Sequence, residues 1–316
     1  MKKFFIGKKG NFYKANLHTH TTFSDGTLTP EQVKDAYLKR GYSIVAFTDH
    51  NVLVPHNDLC DENFLPLTAF ELDVNEKTGK SFEFLKTYHL NFYSPDKFAN
   101  QMPITPEMRE YSVDSINRII GFMNGKGFLV SYNHPVWSQQ DYSDYFGLKG
   151  LWGVEVYNSL CEEVSFTDTE QPFTDFLRSG RYVFPIAADD MHVIENAFFG
   201  FTIIESETLA YDDVFSALKR GDFYASNGPT IEEVYVENGI LTVKCSPAKS
   251  IMLNTERRRQ DRASFEGITR ADFNLNGYFE ENARYNPENT YVRITVEDKF
   301  GRKAWTRAFA EKELKE

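Results

Sequence analysis

Seven short apolar runs set the frame for this chain, at residues 13–20, 42–50, 65–73, 86–93, 127–135, 153–158 and 181–192. They are rich in β-formers and show no clean alternation of apolar and polar residues, which suits strands covered on both faces. Helix signals stand between them. Thr29, Pro30 and Gln32 supply an N-cap, a first-turn proline and a capping-box partner, and the helical pattern runs to Arg40 before Gly41 stops it. The same grammar predicts helices within 105–127, 169–180 and 211–221, each closed by a glycine. Strands that alternate with helices lie parallel, so the expected class is α/β, built as a parallel sheet or a barrel. Both architectures place their chemistry at the C-terminal ends of the strands.

Beyond "YASNGPTIEEV" (224–234) the helix signals fade. Asn238-Gly239 separates two strand-like arms, and 290–310 reads as a hairpin turning around Lys299 to Arg302. A boundary near Pro229 therefore divides residues 1–228 from a small antiparallel β domain over 229–316. The formal net charge of −11 excludes broad, sequence-independent nucleic-acid binding, which needs many Lys and Arg contacts to phosphate. The basic cluster "ERRRQDR" (256–262) reads as a solvated loop. No stretch is apolar enough for a membrane span, and the basic start lacks the apolar core of a secretory signal. Cys60, Cys161 and Cys245 are odd in number and unpaired in spacing. A soluble protein of the reducing cytoplasm, without membrane partners, is expected.

The ends of the apolar runs carry the chemistry. His18 and His20 stand at i and i+2, which on a strand puts both imidazoles on one face, and Asp190 and His192 repeat the spacing. His50 closes the second run, Glu71 the third and His134 the fifth, while His89 lies within the fourth. Six of the seven histidines thus track strand ends, which packing or solubility gives no reason for. Imidazole and carboxylate without nearby thiolate suit Zn²⁺, Mn²⁺ or Fe. The set exceeds what one ion can take, so two or three are implied, with Glu71 suited to bridging ions held ~3.5–4 Å apart. Asp49, beside His50, reads equally as an acceptor that orients an imidazole or as a strand-end cap.

In combination and order, "HTHTTFSDG", "TDH", "NHP" and "DMH" resemble the signature segments of the PHP family, the polymerase and histidinol phosphatase metallohydrolases. The resemblance covers roughly residues 12–228. It implies a distorted TIM-like (β/α)7 barrel, a two- or three-metal centre and phosphoester hydrolysis. Carried over by position, it puts His18, His20, Glu71 and Asp190 around a first ion, Glu71, His89 and His134 around a second, and Asp25, His50 and His192 around a third. The Asp25 position departs from relatives that use a histidine slightly further along. "GVEVYN", "LKRGDFYASNGP" and the β tail resemble the branch named for a carbamate (carbaryl) hydrolase, which leaves the scissile bond open.

The expected reaction is attack of a metal-activated water on phosphorus or an acyl carbon, with Glu71 and Asp190 as the central carboxylates. His56, in the loop after His50, is the candidate general acid. A phosphate clamp would be Arg or Lys, but Arg181 lies nine residues before Asp190, ~30 Å away on an extended strand. Arg178 and Lys149 read as solvated, Asn158 and Trp137 as pocket lining or packing, and Asn227 as a turn former. The leading substrate class is a small phosphorylated metabolite, or a nucleotide or oligonucleotide end. An amide or carbamate hydrolase with the same centre and a non-catalytic metal-binding module are the alternatives.

Overall fold

The computed structural model of the protein describes residues 1–8, 10–79, 81–164, 170–258, 260–276, 279 and 290–315. Each of the seven apolar runs contains a strand. Strand β1 (Lys3–Ile6) precedes them, β2 (Asn11–Asn16) is the first, and helix α1 (Pro30–Leu38) leads to β3 (Ile44–Phe47). β4 (Leu65–Asn75) and β5 (Thr87–Tyr93) are joined by an irregular stretch with one 3₁₀ turn at Phe82–Phe84. Helix α2 (Val113–Gly125) precedes β6 (Leu129–Tyr132), and a single turn α3 (Tyr142–Tyr145) precedes β7 (Gly153–Asn158). Helices α4 (Ser159–Glu163) and α5 (Glu170–Arg178) then lead to β8 (Phe184–Ala188). Thr169, expected to open this last helical segment, lies outside the described residues.

The helix ends follow the capping chemistry. Thr29 Oγ1 accepts from the Gln32 backbone N–H at 3.4 Å, and Gln32 Oε1 accepts from the Thr29 N–H at 2.9 Å. Helix α2 is shorter than the 105–127 pattern because Ser112, not Thr105, supplies its cap, accepting from the Ser115 N–H at 3.2 Å. It buries Ile116, Ile119, Ile120 and Met123 on one face, against a cluster that includes Leu90, Phe92, Val130 and Tyr132. Burying one such side chain contributes about 1.5–3 kcal/mol.

The sheet is mixed, and its hydrogen-bonded path is open rather than closed into the (β/α)7 barrel that was expected. β2, β3 and β4 run parallel, as do β6, β7 and β8, but β5 is antiparallel to both β4 and β6. The reason lies in the connection. A parallel crossover takes a dozen or more residues, usually a helix, whereas the described residues between Asn75 and Thr87 carry only the 3₁₀ turn at Phe82–Phe84. Beyond the strand ends, the first and last runs meet: Thr19 and Met191 form an isolated parallel bridge, and the Asp190 N–H donates to His18 O at 3.0 Å.

Two strands outside the seven runs continue the sheet, β9 (Phe201–Ser206) and, after helix α6 (Tyr211–Arg220), β10 (Phe223–Ser226). β9 pairs antiparallel with β2 and β10. The C-terminal strands are antiparallel: β11 (Ile231–Glu237), β12 (Ile240–Thr255), β13 (Asp261–Asn274), β14 (Tyr291–Glu297), β15 (Lys303–Thr306) and β16 (Phe309–Ala310). A short helix α7 (Glu311–Lys315) follows. Asn238 and Gly239, with φ of 51° and 75°, make the expected tight turn between β11 and β12. Because β1 pairs with β11 and β10 with β15, hydrogen bonding runs unbroken past Pro229. The 256–262 cluster joins β12 to β13. There Arg257 pairs with Glu256 at 2.8 Å, while Arg259 lies outside the described residues. Cys60, Cys161 and Cys245 are free thiols. Among the described residues no helix is long and apolar enough to cross a membrane.

Replacing Thr29 with Ala removes one side of the capping box and should lower stability by about 1 kcal/mol. The urea midpoint should fall with an unchanged slope.

Candidate metal centre

The open ends of β2, β3, β4, β6 and β8, with a side chain from β5, deliver every expected ligand to one place. His18, His20, Glu71 and Asp190 each offer one donor atom to a fully buried group, and His50 joins Glu71 and His89 in a second. His20, Asp25, His50 and His192 form a third group that opens to solvent at Asp25. His134 falls with His18 and Glu155. The groupings differ from the family-based assignment in that His50 serves two groups, while His134 also stays beside Glu71 and His89, its Nε2 3.3 Å from Glu71 Oε1 and its ring 5.0 Å from that of His89.

Backbone bonds between the ligand-bearing segments fix this convergence. The His20 N–H donates to Met191 O at 2.9 Å, Asn51 N–H to Glu71 O at 2.7 Å, Asn133 N–H to His89 O at 3.1 Å, and Thr27 N–H to His192 O at 2.8 Å. The Asp25 turn depends on Gly26, where a Cβ would lie 2.4 Å from the His20 carbonyl atoms. Asp190 itself adopts φ of 54°, a left-handed conformation that costs free energy outside glycine and recurs at functional sites.

Distances inside the cage fit cation coordination better than hydrogen bonding. His18 Nε2 lies 3.2 Å from Glu71 Oε1, 3.2 Å from Asp190 Oδ1 and 3.2 Å from His20 Nε2, and His20 Nε2 lies 3.1 Å from Asp190 Oδ1. Donors ~2.1 Å from one tetrahedral ion stand ~3.4 Å from each other. Four buried atoms aimed here have no hydrogen-bond partner: His50 Nδ1, Glu71 Oε2, His134 Nε2 and Asp190 Oδ1. Buried polar atoms are rarely left unsatisfied, so the donor set fits divalent ions.

The electrostatics agree. Burial disfavours a charged His18, yet Asp190, Glu71 and Glu155 outweigh it and raise its pKa well above the ordinary imidazole value. His20 is raised against burial by Asp190 and Glu71, and His192 rises to about 9 through Asp25 and Asp190. Burial equally opposes ionisation of Glu71 and Asp190, but the facing imidazoles hold both well below the usual carboxylate range. His50 moves down, because burial and its imidazole neighbours outweigh Glu71 and Asp25.

Glu155, from the middle of β7, is the residue that sequence reasoning missed. Its Oε1 lies 2.6 Å from His18 Nδ1, which makes Nδ1 the protonated nitrogen and turns the Nε2 lone pair into the cage. Its Oε2 accepts from the His134 N–H and from Asn158 Nδ2, each at 3.1 Å. The signal was present: a carboxylate inside an apolar run has to find a partner when buried. Asn158 also donates to Asp190 Oδ2 at 3.1 Å, and Trp137 lines the cleft of about 390 Å³ over the cage.

Two expectations are corrected. Asp49 does not orient an imidazole directly; it accepts from the Thr21 N–H at 2.7 Å and from the Ser24 hydroxyl at 2.9 Å, tying down the turn that carries Asp25. His56 is not brought to the cleft. It is buried between Phe47 and Phe23, at ring separations of 4.7 Å and 5.4 Å, and burial lowers its pKa. Arg181 donates to the Leu148 carbonyl at 2.8 Å and is not among the residues lining the cleft, and Asn227, in its turn, accepts from the Lys303 N–H of β15 at 2.6 Å.

Comparison with known proteins places these features. The sequence pattern of the PHP domain family matches residues 16–179, more than half of the chain. A 74-residue stretch is 36% identical to the DNA polymerase/3'-5' exonuclease PolX of Bacillus subtilis, and spans 23% of this chain but only 13% of that protein. A two-domain Bacteroides vulgatus protein, described as containing a predicted PHP-like metal-dependent phosphoesterase, superposes with a TM-score of 0.51 at 15% identity, covering 96% of this chain and 97% of its own. That likeness establishes a shared fold. A lesion-specific endonuclease of Pyrococcus furiosus gives a TM-score of 0.43 at 14% identity over 66% of this chain and 56% of its own.

Replacing Glu155 with Gln should weaken metal binding by about 10–100-fold, read by competition with a chelating dye. Metal ions must displace the proton that His192, with its pKa raised to about 9 by Asp25 and Asp190, carries at neutral pH. Metal uptake in weakly buffered solution should therefore release protons, and apparent affinity should strengthen as pH rises toward about 9.

Proposed function

The chain belongs to the PHP domain family, and on that footing we propose that it is a metal-dependent phosphoesterase whose centre holds two or three Zn, Mn or Fe ions. The proposed ligands are His18, His20, Asp25, His50, Glu71, His89, His134, Asp190 and His192. One observation carries the reading: four buried imidazole and carboxylate atoms, His50 Nδ1, Glu71 Oε2, His134 Nε2 and Asp190 Oδ1, converge from four segments of the chain without hydrogen-bond partners beside an open cleft. Divalent ions in such a site supply a water nucleophile at neutral pH and neutralise charge growing on the phosphoryl oxygens.

The chain's own residues hold that chemistry in place. Glu155 keeps the His18 proton on Nδ1, and Asn158 braces Glu155 and Asp190 together through one amide. Glu71, with both oxygens facing imidazoles, is the carboxylate placed to be shared between ions. The substrate is a small phosphorylated metabolite, or a nucleotide or oligonucleotide end. Residues 1–228 carry the reaction in a protein of the cytoplasm, and residues 229–316 are accessory to it.

A specific feature favours a second reading, hydrolysis of an amide or carbamate. Among the described residues, no Lys or Arg lines the cleft. Phosphate recognition commonly uses such a cation, so an acidic cleft must rely on its ions for a charged substrate.

Metal-loaded protein should release phosphate from phosphomonoesters or open cyclic phosphates, and chelation should abolish the activity. Glu71→Gln should lose metal and turnover together. Turnover of aryl carbamates but of no phosphoester would establish the second reading instead.

A further inference from the structure

The cleft has an apolar wall that the metal centre does not use. Trp137 stands with its ring 5.2 Å from His134 and 5.5 Å from His89, and Phe82, 56% exposed, continues the wall outward at 6.1 Å from Trp137. The two aromatics also line an adjoining cavity of about 320 Å³ that reaches Thr87. An exposed Phe82 and a half-buried Trp137 beside a polar, ligand-rich cage present a stacking surface for a flat ring.

Behind this wall the chain leaves polar atoms unsatisfied. Glu71, Asp73 and Asn75 alternate along β4 and so share the face that looks into the cleft. Asn75 lies directly opposite Thr87 of β5, and both Asn75 Oδ1 and Thr87 Oγ1 are buried without a partner, Thr87 being only 2% exposed. The orientation of the Asn75 amide is set by its neighbour: its Nδ2 donates to Asp73 Oδ2 at 3.2 Å, so Oδ1 is the free end. Asp73 is held in turn by the Asn51 amide, whose oxygen accepts from Arg109 Nη1 at 2.6 Å. A fixed, dry acceptor beside a stacking surface calls for a ring that carries N–H groups. Asn75 lies four residues beyond Glu71, ~13 Å along the strand. A nucleotide covers that span between its phosphate and the far edge of its base.

We propose that Phe82 and Trp137, with Asn75 and Thr87 behind them, form a nucleobase subsite, so that the ester cleaved at the cage is a nucleotide or a nucleotide end. This rests on the phosphoesterase reading and narrows its substrate. The base stacks on the aromatic wall, Asn75 Oδ1 accepts from a ring or exocyclic N–H, and the phosphate points back toward Glu71.

The test compares AMP, phenyl phosphate and ribose 5-phosphate, which share a phosphate but differ in ring and in N–H donors. Binding to the Mn²⁺-loaded protein is measured by calorimetry, and phosphate release is followed separately. AMP should bind about 5–150-fold tighter than ribose 5-phosphate, the range expected for stacking one base. Phe82→Ala and Trp137→Ala should erode that advantage, and Trp137→Phe should restore most of it. Asn75→Ala should weaken AMP more than phenyl phosphate. Metal analysis checks whether Trp137→Ala has disturbed the ions near His89 and His134; Phe82→Ala, set further out, decides the matter if it has. Equal binding of AMP and ribose 5-phosphate, or unchanged AMP binding in both Phe82→Ala and Asn75→Ala, would overturn the subsite. Phenyl phosphate that matches AMP, with Asn75→Ala affecting neither, would overturn the nucleobase assignment in favour of simple aryl esters. Ring-dependent binding without hydrolysis of any phosphoester would sink the phosphoesterase reading and leave the subsite standing, so the two failures are distinguishable.

Discussion

Two carboxylates, Glu71 and Asp190, are buried at the point where the strand ends converge, and everything around them answers the cost of placing negative charge out of water. An isolated buried carboxylate is expensive and normally neutralises itself. Here the imidazoles of His18, His20, His89 and His134 stand within 3.6 Å of one or both, so the carboxylates stay ionised. The need to assemble these partners dictates the local backbone, including the left-handed conformation at Asp190 and the bridge between Thr19 and Met191. Glu155 extends the same logic by one layer, since its charge is met by His18 Nδ1, the His134 N–H and the Asn158 amide.

Another buried carboxylate sits back to back with Asp190 and does something different. Asp189, next to Asp190, turns away from the cage and accepts from the Tyr37 hydroxyl at 2.8 Å and from the N–H groups of Phe198, Phe199 and Gly200. Burial raises its pKa to about 6 in spite of those bonds. Asn16 completes the arrangement by accepting from the Asp189 N–H at 2.9 Å while its own amide donates to Tyr37. Just past the end of β8 the acidic pair diverges, holding the cage with the Asp190 side chain and the β8–β9 connection with that of Asp189.

Much of this was legible because strand ends and ligand types carry local signals. His18, His20, His50, His134 and His192 stood out by position, and the capping box at Thr29 and Gln32 and the Asn238-Gly239 turn follow from chemistry within a few residues. What escaped depended on distant neighbours. The burial of His56 rests on Phe23 and Phe47, which no short motif links to it, and the antiparallel setting of β5 followed from a missing helix rather than a visible one. Glu155 was hidden in an ordinary-looking strand, and only the cost of burying its charge marks it out. The cleft's aromatic wall joins Phe82 to Trp137 across two loops, so their partnership exists only in the folded chain.

The bridge between Thr19 and Met191 also sets an order of events during synthesis. His18 and His20 leave the ribosome 172 residues ahead of Asp190 and His192, which complete their surroundings. At usual elongation rates that interval lasts on the order of ten to thirty seconds. Throughout it the first pair of imidazoles belongs to an unfinished sheet, so assembly of the complete cage is a late step, coupled to closure of the nascent chain rather than a seed for it.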